Sequence, residues 1–264
     1  MPNLTPPEAH ISLFHWGRIR VRTERIAAPA FLRGFRAAFV TDVHLRRTTP
    51  DRWLDALIDQ IRALRPDILL LGGDYGEGLD QQKRFFAALT RLKTPPYGCF
   101  GVCGNNEPPL YPDLGALRGE MARGGARLLL NEHALVRLPG GTLAVAGIDD
   151  RKKGQPRPGL ALRRCEGADY RILLTHAPRW PERRAELILA GHTHGGQFNV
   201  CGITPFTFGF EGNAYPLIRG RAEKDGMTLL VSAGLGYSRL PLRLGVRPEL
   251  HLLEFAAPEE CSPD

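Results

Sequence analysis

Leu187-Ile188-Leu189-Ala190-Gly191-His192-Thr193-His194-Gly195-Gly196-Gln197 joins a short apolar run to a glycine, two histidines one residue apart, and two more glycines. The run has the length of a buried strand. The glycines after it predict a sharp turn, because glycine tolerates positive φ and lets other groups approach closely. Imidazole is the commonest protein ligand for a metal. Two of them on one turn make a candidate ligand pair that still needs partners from elsewhere in the chain.

Four other apolar runs end in the same manner. Ala37–Thr41 leads into Asp42-Val43-His44, and Asp67–Leu71 into Gly72-Gly73-Asp74. Gly98–Cys103 leads into Gly104-Asn105-Asn106-Glu107, and Arg171–Thr175 into His176. An aspartate after a strand is ordinarily a turn or cap residue, and a lone histidine is ordinarily packed. Five strand ends that each carry a donor argue for one shared rim.

Between these runs the period changes. Trp53, Leu54, Leu57, Ile58, Ile61 and Leu64 fall at helical spacing between Pro50 and Pro66. A second helix is expected over 79–92, with Phe85, Phe86 and Leu89 inward. Strand, helix and strand in alternation predict parallel pairing through right-handed crossovers. In such folds ligands bind where the carboxyl ends of the strands emerge. Further on, the pattern predicts a helix over 114–123 and strands over 127–130, 134–138 and 142–148, the last two joined at Pro139-Gly140-Gly141. A short helix over 181–186 and strands over 228–232 and 249–255 complete the expectation. Arg18-Ile19-Arg20-Val21-Arg22 alternates like an edge strand, where charge discourages mispairing.

The donors gathered this way are Asp42, His44, Asp74, Asn105, His176, His192 and His194. Seven mixed nitrogen and oxygen donors exceed one tetrahedral zinc. They suit two divalent ions ~3.5–4 Å apart, bridged by a carboxylate. Four imidazoles argue against Mg²⁺ or Ca²⁺ and for Mn²⁺ first, with Fe or Zn²⁺ as alternatives. Asp74, alone on its strand end between other donors, is the natural bridge.

Composition sets the outer bounds. The 264 residues carry 35 Lys+Arg against 28 Asp+Glu, a formal net charge of +7, which suits an anionic partner. Five cysteines without a C-x-x-C pair exclude a zinc knuckle and a disulfide framework, and fit a reducing, cytoplasmic setting. No apolar run approaches the ~20 residues of a membrane span, and no signal peptide is visible. The expected organisation is an arm and edge strand over 1–35, a single catalytic domain over 36–256, and a tail over 257–264.

The ordered series D-x-H, G-D, G-N-x-E, H and G-H-T-H resembles the calcineurin-like metallophosphoesterase superfamily, over about residues 36–255. The resemblance implies an α/β fold, a four-layer αββα sandwich with two mixed sheets. It implies one metal site from Asp42, His44, Asp74 and His194, and a second from Asp74, Asn105, His176 and His192. The extended G-H-T-H-G-G-Q and the closing Ser232-Ala233-Gly234-Leu235-Gly236 resemble the branch of membrane-associated bacterial phosphodiesterases. That branch includes UDP-2,3-diacylglucosamine pyrophosphatases.

One departure bears on chemistry. The family's G-N-H-(D/E) reads Gly104-Asn105-Asn106-Glu107, and the family histidine protonates the leaving oxygen. Asn106 can hydrogen-bond a phosphate but is no general acid near neutral pH. The catalytic residues are therefore expected to be Asn106, Asp74 and His192, acting on phosphodiesters or diphosphates with good leaving groups. His133 is the histidine available to substitute, against a packing role. Thr204-Pro205-Phe206-Thr207-Phe208-Gly209-Phe210 follows the His-x-His turn and suggests a lipid-linked substrate, with peripheral contact to an anionic membrane. A nuclease or cyclic-nucleotide phosphodiesterase is the alternative enzyme, disfavoured because arginines and aromatics are not interleaved. A scaffold that has lost its chemistry is the alternative of another class, disfavoured because all seven donors are present. No protein partner is evident.

Overall fold

The apolar runs that end in donors become short strands, sealed on both faces. The computed structural model describes residues 11–13, 18–111, 113–163, 165–208 and 215–260. Phe14 and Trp16 of the arm, Phe210 of the aromatic loop and the last four residues of the tail lie outside the described residues.

In chain order the elements begin with β1 (Ile11–Leu13), β2 (Arg20–Ala27), β3 (Arg36–Val40), α1 (Asp51–Ala63), β4 (Ile68–Leu71) and α2 (Leu79–Leu89). There follow β5 (Cys99–Gly101), α3 (Leu114–Arg123), β6 (Arg127–Leu128), β7 (Glu132–Leu138), β8 (Gly141–Gly147) and α4 (Pro158–Ala161). The chain continues with β9 (Tyr170–Leu174), β10 (Leu187–Ala190), β11 (Gly220–Lys224), β12 (Met227–Val231), β13 (Leu242–Leu244) and β14 (Glu249–Ala256).

Two six-stranded sheets stand face to face, in the orders β2-β14-β3-β4-β5-β6 and β11-β12-β10-β9-β8-β7. Both are mixed. In the first, β3, β4, β5 and β6 run parallel, whereas β14 is antiparallel to β3. In the second, β8, β9, β10 and β12 run parallel, with β7 and β11 antiparallel at the edges. The strand period of two sends alternate residues to opposite sides. Phe39, Leu70 and Phe100 meet Val145, Ile172, Leu174 and Leu189 between the sheets. Val40, Leu69 and Leu71 face outward and pack under α1, α2 and α3. Each such side chain taken out of water contributes about 1.5–3 kcal/mol. The outer face of the second sheet, with Leu173, Ile188 and Leu229, lies under Leu162, Ala185 and Leu217. The result is the four-layer αββα sandwich.

The helix α1 presents Trp53, Leu54, Leu57, Ile58 and Ile61 to the core. It ends where Arg65 takes a left-handed φ of 46° and Pro66 blocks continuation. The expected helix over 79–92 stops earlier, at Leu89. The helix expected over 181–186 does not form; those residues are bends and irregular backbone. Six residues give too few intrahelical bonds to offset the cost of the first turn, and Glu186 is instead held by the Arg171 guanidinium. The edge β11 was not anticipated, although Asp225-Gly226, both at positive φ, joins it to β12 in the two-residue turn typical of hairpins. The basic alternation at 18–22 enters β2, which among the described residues is an edge strand paired with β14 alone.

Candidate metal centre

The parallel core strands of both sheets end on the same side of the molecule, and the backbone pairing continues past them. Asp42 N–H donates to Gly73 O and His44 N–H to Asp74 O, both at 3.0 Å, which locks the loops after β3 and β4 together. In the second sheet Gly191 N–H donates to His176 O at 2.9 Å. Two further bonds cross between sheets. His176 Nδ1–H donates to Gly72 O at 2.8 Å, and the His192 backbone N–H donates to Asp42 Oδ2 at 2.9 Å.

These loops turn so tightly that five donors adopt left-handed backbone: Asp42 (φ 51°), His44 (43°), Asp74 (54°), His192 (70°) and His194 (52°). Non-glycine residues pay of order 1–3 kcal/mol for such conformations, which cluster at functional sites. Gly191 is required for a different reason, since a Cβ there would lie 2.1 Å from Asp42 Oδ2.

All seven predicted donors lie around one cleft of about 520 Å³ or directly beneath it. Asp42, His44 and His194 offer atoms all within 4.8 Å of one another, and so do Asp42, Asp74 and His176. Asp74 is central. Its Oδ1 accepts the Asn106 N–H at 2.9 Å, and its Oδ2 lies 3.3 Å from His44 Nε2 and 3.4 Å from His176 Nε2. Asp42 Oδ2 accepts the Thr41 hydroxyl at 2.8 Å, while Oδ1 lies 3.6 Å from His194 Nε2. His192 Nδ1 is 3.1 Å from His176 Nε2.

The donors leave the right atoms without partners. His44 Nε2 and Asn105 Oδ1 are buried and make no hydrogen bond, although carboxylates stand 3.3 and 3.8 Å from the imidazole nitrogen. Buried polar atoms are normally satisfied, and leaving one bare costs free energy. Two such atoms beside two carboxylates and three further imidazoles fit divalent cations.

The proton balance agrees. Burial works against charge on His44, but Asp42 and Glu77 beside it, with Asp74 close by, push it up to about 10. Burial likewise opposes charge on His176, and Asp74 overcomes it, pushing it also up to about 10. Asp42 and Asp74 stay well below the carboxylate range despite burial, chiefly because of the facing histidines. Burial and the neighbouring His176 and Lys152 charges hold His192 down to about 4, and burial keeps His194 well below its usual range. Without a metal, two anions thus hold two protons where cations would sit.

Several residues around the donors were not singled out from sequence. Glu77 Oε1 accepts from His44 Nδ1 at 2.5 Å and stands 3.4 Å from the Asn106 amide nitrogen. Glu107 is fully buried and accepts from Asp74 N, Tyr75 N, Gly104 N and Gln82 Nε2. Lys152, Phe198, Arg239 and Leu240 line the cleft. Asn106 lines it as well, its Nδ2 3.3 Å from His44 Nδ1. His133 is elsewhere: it sits on β7 with its ring against Ala161 O, at 3.0 Å, and so takes the packing role. A larger groove of about 910 Å³, past Ala30, Arg221 and Met227, is lined by none of the predicted donors.

Comparison with known proteins identifies the family. Residues 35–196, more than half of the chain, match the family described as calcineurin-like phosphoesterase. The chain is 29% identical to the protein YpbG of Bacillus subtilis over 226 residues, covering 84% of this chain and 81% of that one. It is 29% identical to the phosphodiesterase YaeI of Escherichia coli over 229 residues, covering 84% and 82% respectively. It is similar in structure to TT1561 of Thermus thermophilus, with a TM-score of 0.49 and 12% identity, covering 76% of this chain and 90% of that one. The chain belongs to the calcineurin-like phosphoesterase family and is a metal-dependent phosphohydrolase.

Proposed function

We propose that the protein hydrolyses phosphodiesters or diphosphates with good leaving groups at two divalent ions, Mn²⁺ in the first instance. Asp42, His44 and His194 would hold one ion and Asn105, His176 and His192 the other, with Asp74 shared. The observation that carries this reading is the position of Asp74 Oδ2, almost equidistant from His44 Nε2 and His176 Nε2. Two bound divalent ions supply an activated water and neutralise charge developing on the phosphoryl oxygens.

The chain's own groups do the rest. Asp74 accepts the Asn106 N–H through Oδ1, which fixes the carboxylate plane and keeps Oδ2 turned toward both imidazoles. Asn105 Nδ2 donates to Asn106 Oδ1 at 3.0 Å, which holds both amides in place at the cleft. Asn106 Nδ2 points one hydrogen at Glu77 Oε1 and would offer the other to a phosphoryl oxygen, stabilising charge without transferring a proton. A leaving group that departs as a stable anion needs no such proton, hence the preference for diphosphates and activated diesters.

The reading extends to a lipid-linked substrate, such as a nucleotide-sugar lipid. Phe198, Pro205, Phe206 and Leu240 form an apolar wall of the cleft. Ile11, Val200, Ile203 and Leu240 beside it are half or more exposed. They sit close together because β1 pairs β13, Phe198 bridges Leu244 and Val200 bridges Ile203. Exposed apolar surface continuous with a binding cleft suits an acyl chain or the face of a bilayer. Among the described residues no helix is long and apolar enough to cross a membrane.

The test is metal analysis of the purified protein, followed by Mn²⁺-loaded assays. These compare UDP-diacylglucosamine, a phospholipid, an aryl phosphodiester and an aryl phosphomonoester, with flotation on anionic liposomes alongside. Turnover of the diester and diphosphate is expected, with liposome binding. Activity confined to the monoester would overturn the substrate class, and no liposome binding would overturn the lipid contact.

A further inference from the structure

The loop after β8 places a cation beside the reacting groups. Asp149 Oδ1 accepts Asp150 N–H and its Oδ2 accepts Gln155 N–H, both at 2.8 Å. Asp150 Oδ2 accepts the N–H groups of both Lys152 and Lys153 at 2.6 Å. Asn131 ties the two ends of the loop, its Oδ1 accepting from Asp149 N at 3.3 Å and from Arg157 N at 2.7 Å while its Nδ2 donates to Gln155 O at 2.9 Å. A loop of charged residues is thereby folded as one tight turn, with the amides of Asp150, Lys152, Lys153 and Gln155 directed at the two carboxylates.

The same turn is fixed relative to the donors. The Arg151 guanidinium lies over the Tyr215 ring at 5.6 Å, and that ring meets His192 edge-on at 5.5 Å. Lys152 follows directly and lines the cleft that His192, Asn105 and Asn106 also line. Lys153, its neighbour in sequence, does not line it. A rigid turn that selects one of two adjacent lysines for the cleft points to a function for that lysine.

We propose that Lys152 forms a subsite for a second phosphoryl group beyond the one that reacts, which makes diphosphates the preferred substrates over simple phosphodiesters. The inference rests on the phosphohydrolase reading above and narrows its substrate class. When water attacks one phosphorus, its bond to the bridging oxygen breaks and the electron pair leaves on the second phosphoryl group. Oxygen from water stays on the attacked phosphorus, and its protons pass to solvent. Charge therefore grows on the group next to the Lys152 ammonium, where a cation favours departure. This also supplies a reason for Asn106 to suffice, because the leaving oxygen is stabilised by charge instead of by a proton.

The experiment measures binding and turnover separately on the metal-loaded protein. Calorimetry compares AMP with α,β-methylene-ADP, which share a nucleoside and differ in the second phosphoryl group. Hydrolysis of bis(4-nitrophenyl) phosphate reports the chemistry independently. The wild type is expected to prefer the diphosphonate analogue, and Lys152→Gln to lose about tenfold or more of that preference. Lys152→Arg restores it, and Lys153→Gln leaves both binding and turnover as they were. A wild type with no preference, or a preference that survives Lys152→Gln, overturns the subsite. Failure to hydrolyse the diester together with a Lys152-dependent preference overturns the reaction while leaving the subsite standing.

Discussion

The Asp74 backbone rests on a buried carboxylate: its N–H donates to Glu107 Oε2 at 3.0 Å. The same oxygen accepts Gly104 N–H, and Oε1 accepts Tyr75 N–H at 3.0 Å and the Gln82 amide at 2.9 Å. One side chain thus joins the loop after β4 to the loop after β5. Glu107→Gln keeps the shape but turns an amide NH₂ toward two of those donors. Each buried donor left unpaired costs about 1–3 kcal/mol. We expect Glu107→Gln to lower stability by about 2–4 kcal/mol, read from urea unfolding, and to weaken metal retention because Asp74 loses its support. Unchanged stability would show that the clamp is dispensable.

Asp74→Asn removes the negative charge that faces both His44 and His176. An amide in its place offers at most one neutral oxygen to two cations. We expect kcat to fall by about a thousandfold or more, with metal content after desalting well below that of the wild type. A variant that kept both metal and activity would show that Asp74 does not bridge.

Asn106→His restores a group able to donate a proton at the leaving oxygen. General acid catalysis contributes about 10²–10⁴-fold where the leaving group is poor. We expect activity on an alkyl phosphomonoester to rise by about a hundredfold, while turnover of an aryl diester moves only a few-fold. Equal effects on both substrates would mean that Asn106 does not set the leaving-group preference.

The donor set was readable because each donor follows an apolar run directly, and parallel strands bring their carboxyl ends to one rim whatever the details of packing. The layers were readable for the same reason, from the alternation of strand and helix. The residues around the donors were not. Glu77 reaches His44 only because Leu45 and Gly76 pair across two loops, a register no local pattern shows. Lys152 is one of two adjacent lysines, and the turn that selects it depends on Asp149 and Asp150, which read as ordinary turn residues. The missing helix at 181–186 and the extra strand β11 are different. Asp225-Gly226 carries a hairpin signal in the sequence itself, and six residues at 181–186 are too few to offset the cost of the first helical turn.

Metal binding is expected to release protons. His44 and His176 are pushed up to about 10, so both are cationic at pH 7 in the metal-free protein, whereas His192, at about 4, is neutral. A raised folded pKa stabilises the metal-free fold fully below about 6.5, and that contribution is lost as pH rises toward 10. A ligating imidazole must give up its proton. We expect about two protons released on loading at pH 7, measured by calorimetry in buffers of different ionisation enthalpy. Apparent affinity should rise with pH by about tenfold per unit for each proton displaced. No proton release would exclude His44 and His176 as ligands.

Behind the donors, Glu249 is fully buried between Arg219, 2.7 Å from its Oε2, and the Ala233 N–H, 2.7 Å from its Oε1. The loop it holds presses on Asp42: Gly236 N–H donates to Asp42 O at 2.6 Å, and a Cβ on Gly234 would lie 2.5 Å from Asp42 Cβ. Removing the carboxylate strands a buried guanidinium, a loss of about 3–5 kcal/mol, so Glu249→Ala should be strongly destabilised. Acid tests the same pair in the wild type. Burial alone would raise the Glu249 pKa, but His251 and Arg219 hold it well below the usual range. A lowered pKa contributes stability above the unfolded value near 4.5, and that stability is lost as pH falls below it. Thermal unfolding from about pH 6 to about pH 3 should show Tm falling steeply below about 4.5 in the wild type, and less steeply in Glu249→Gln from a lower starting point. Parallel curves would mean that Glu249 is as easily protonated folded as unfolded, and that the loop carrying Ala233 and Gly234 is held against Asp42 by packing alone.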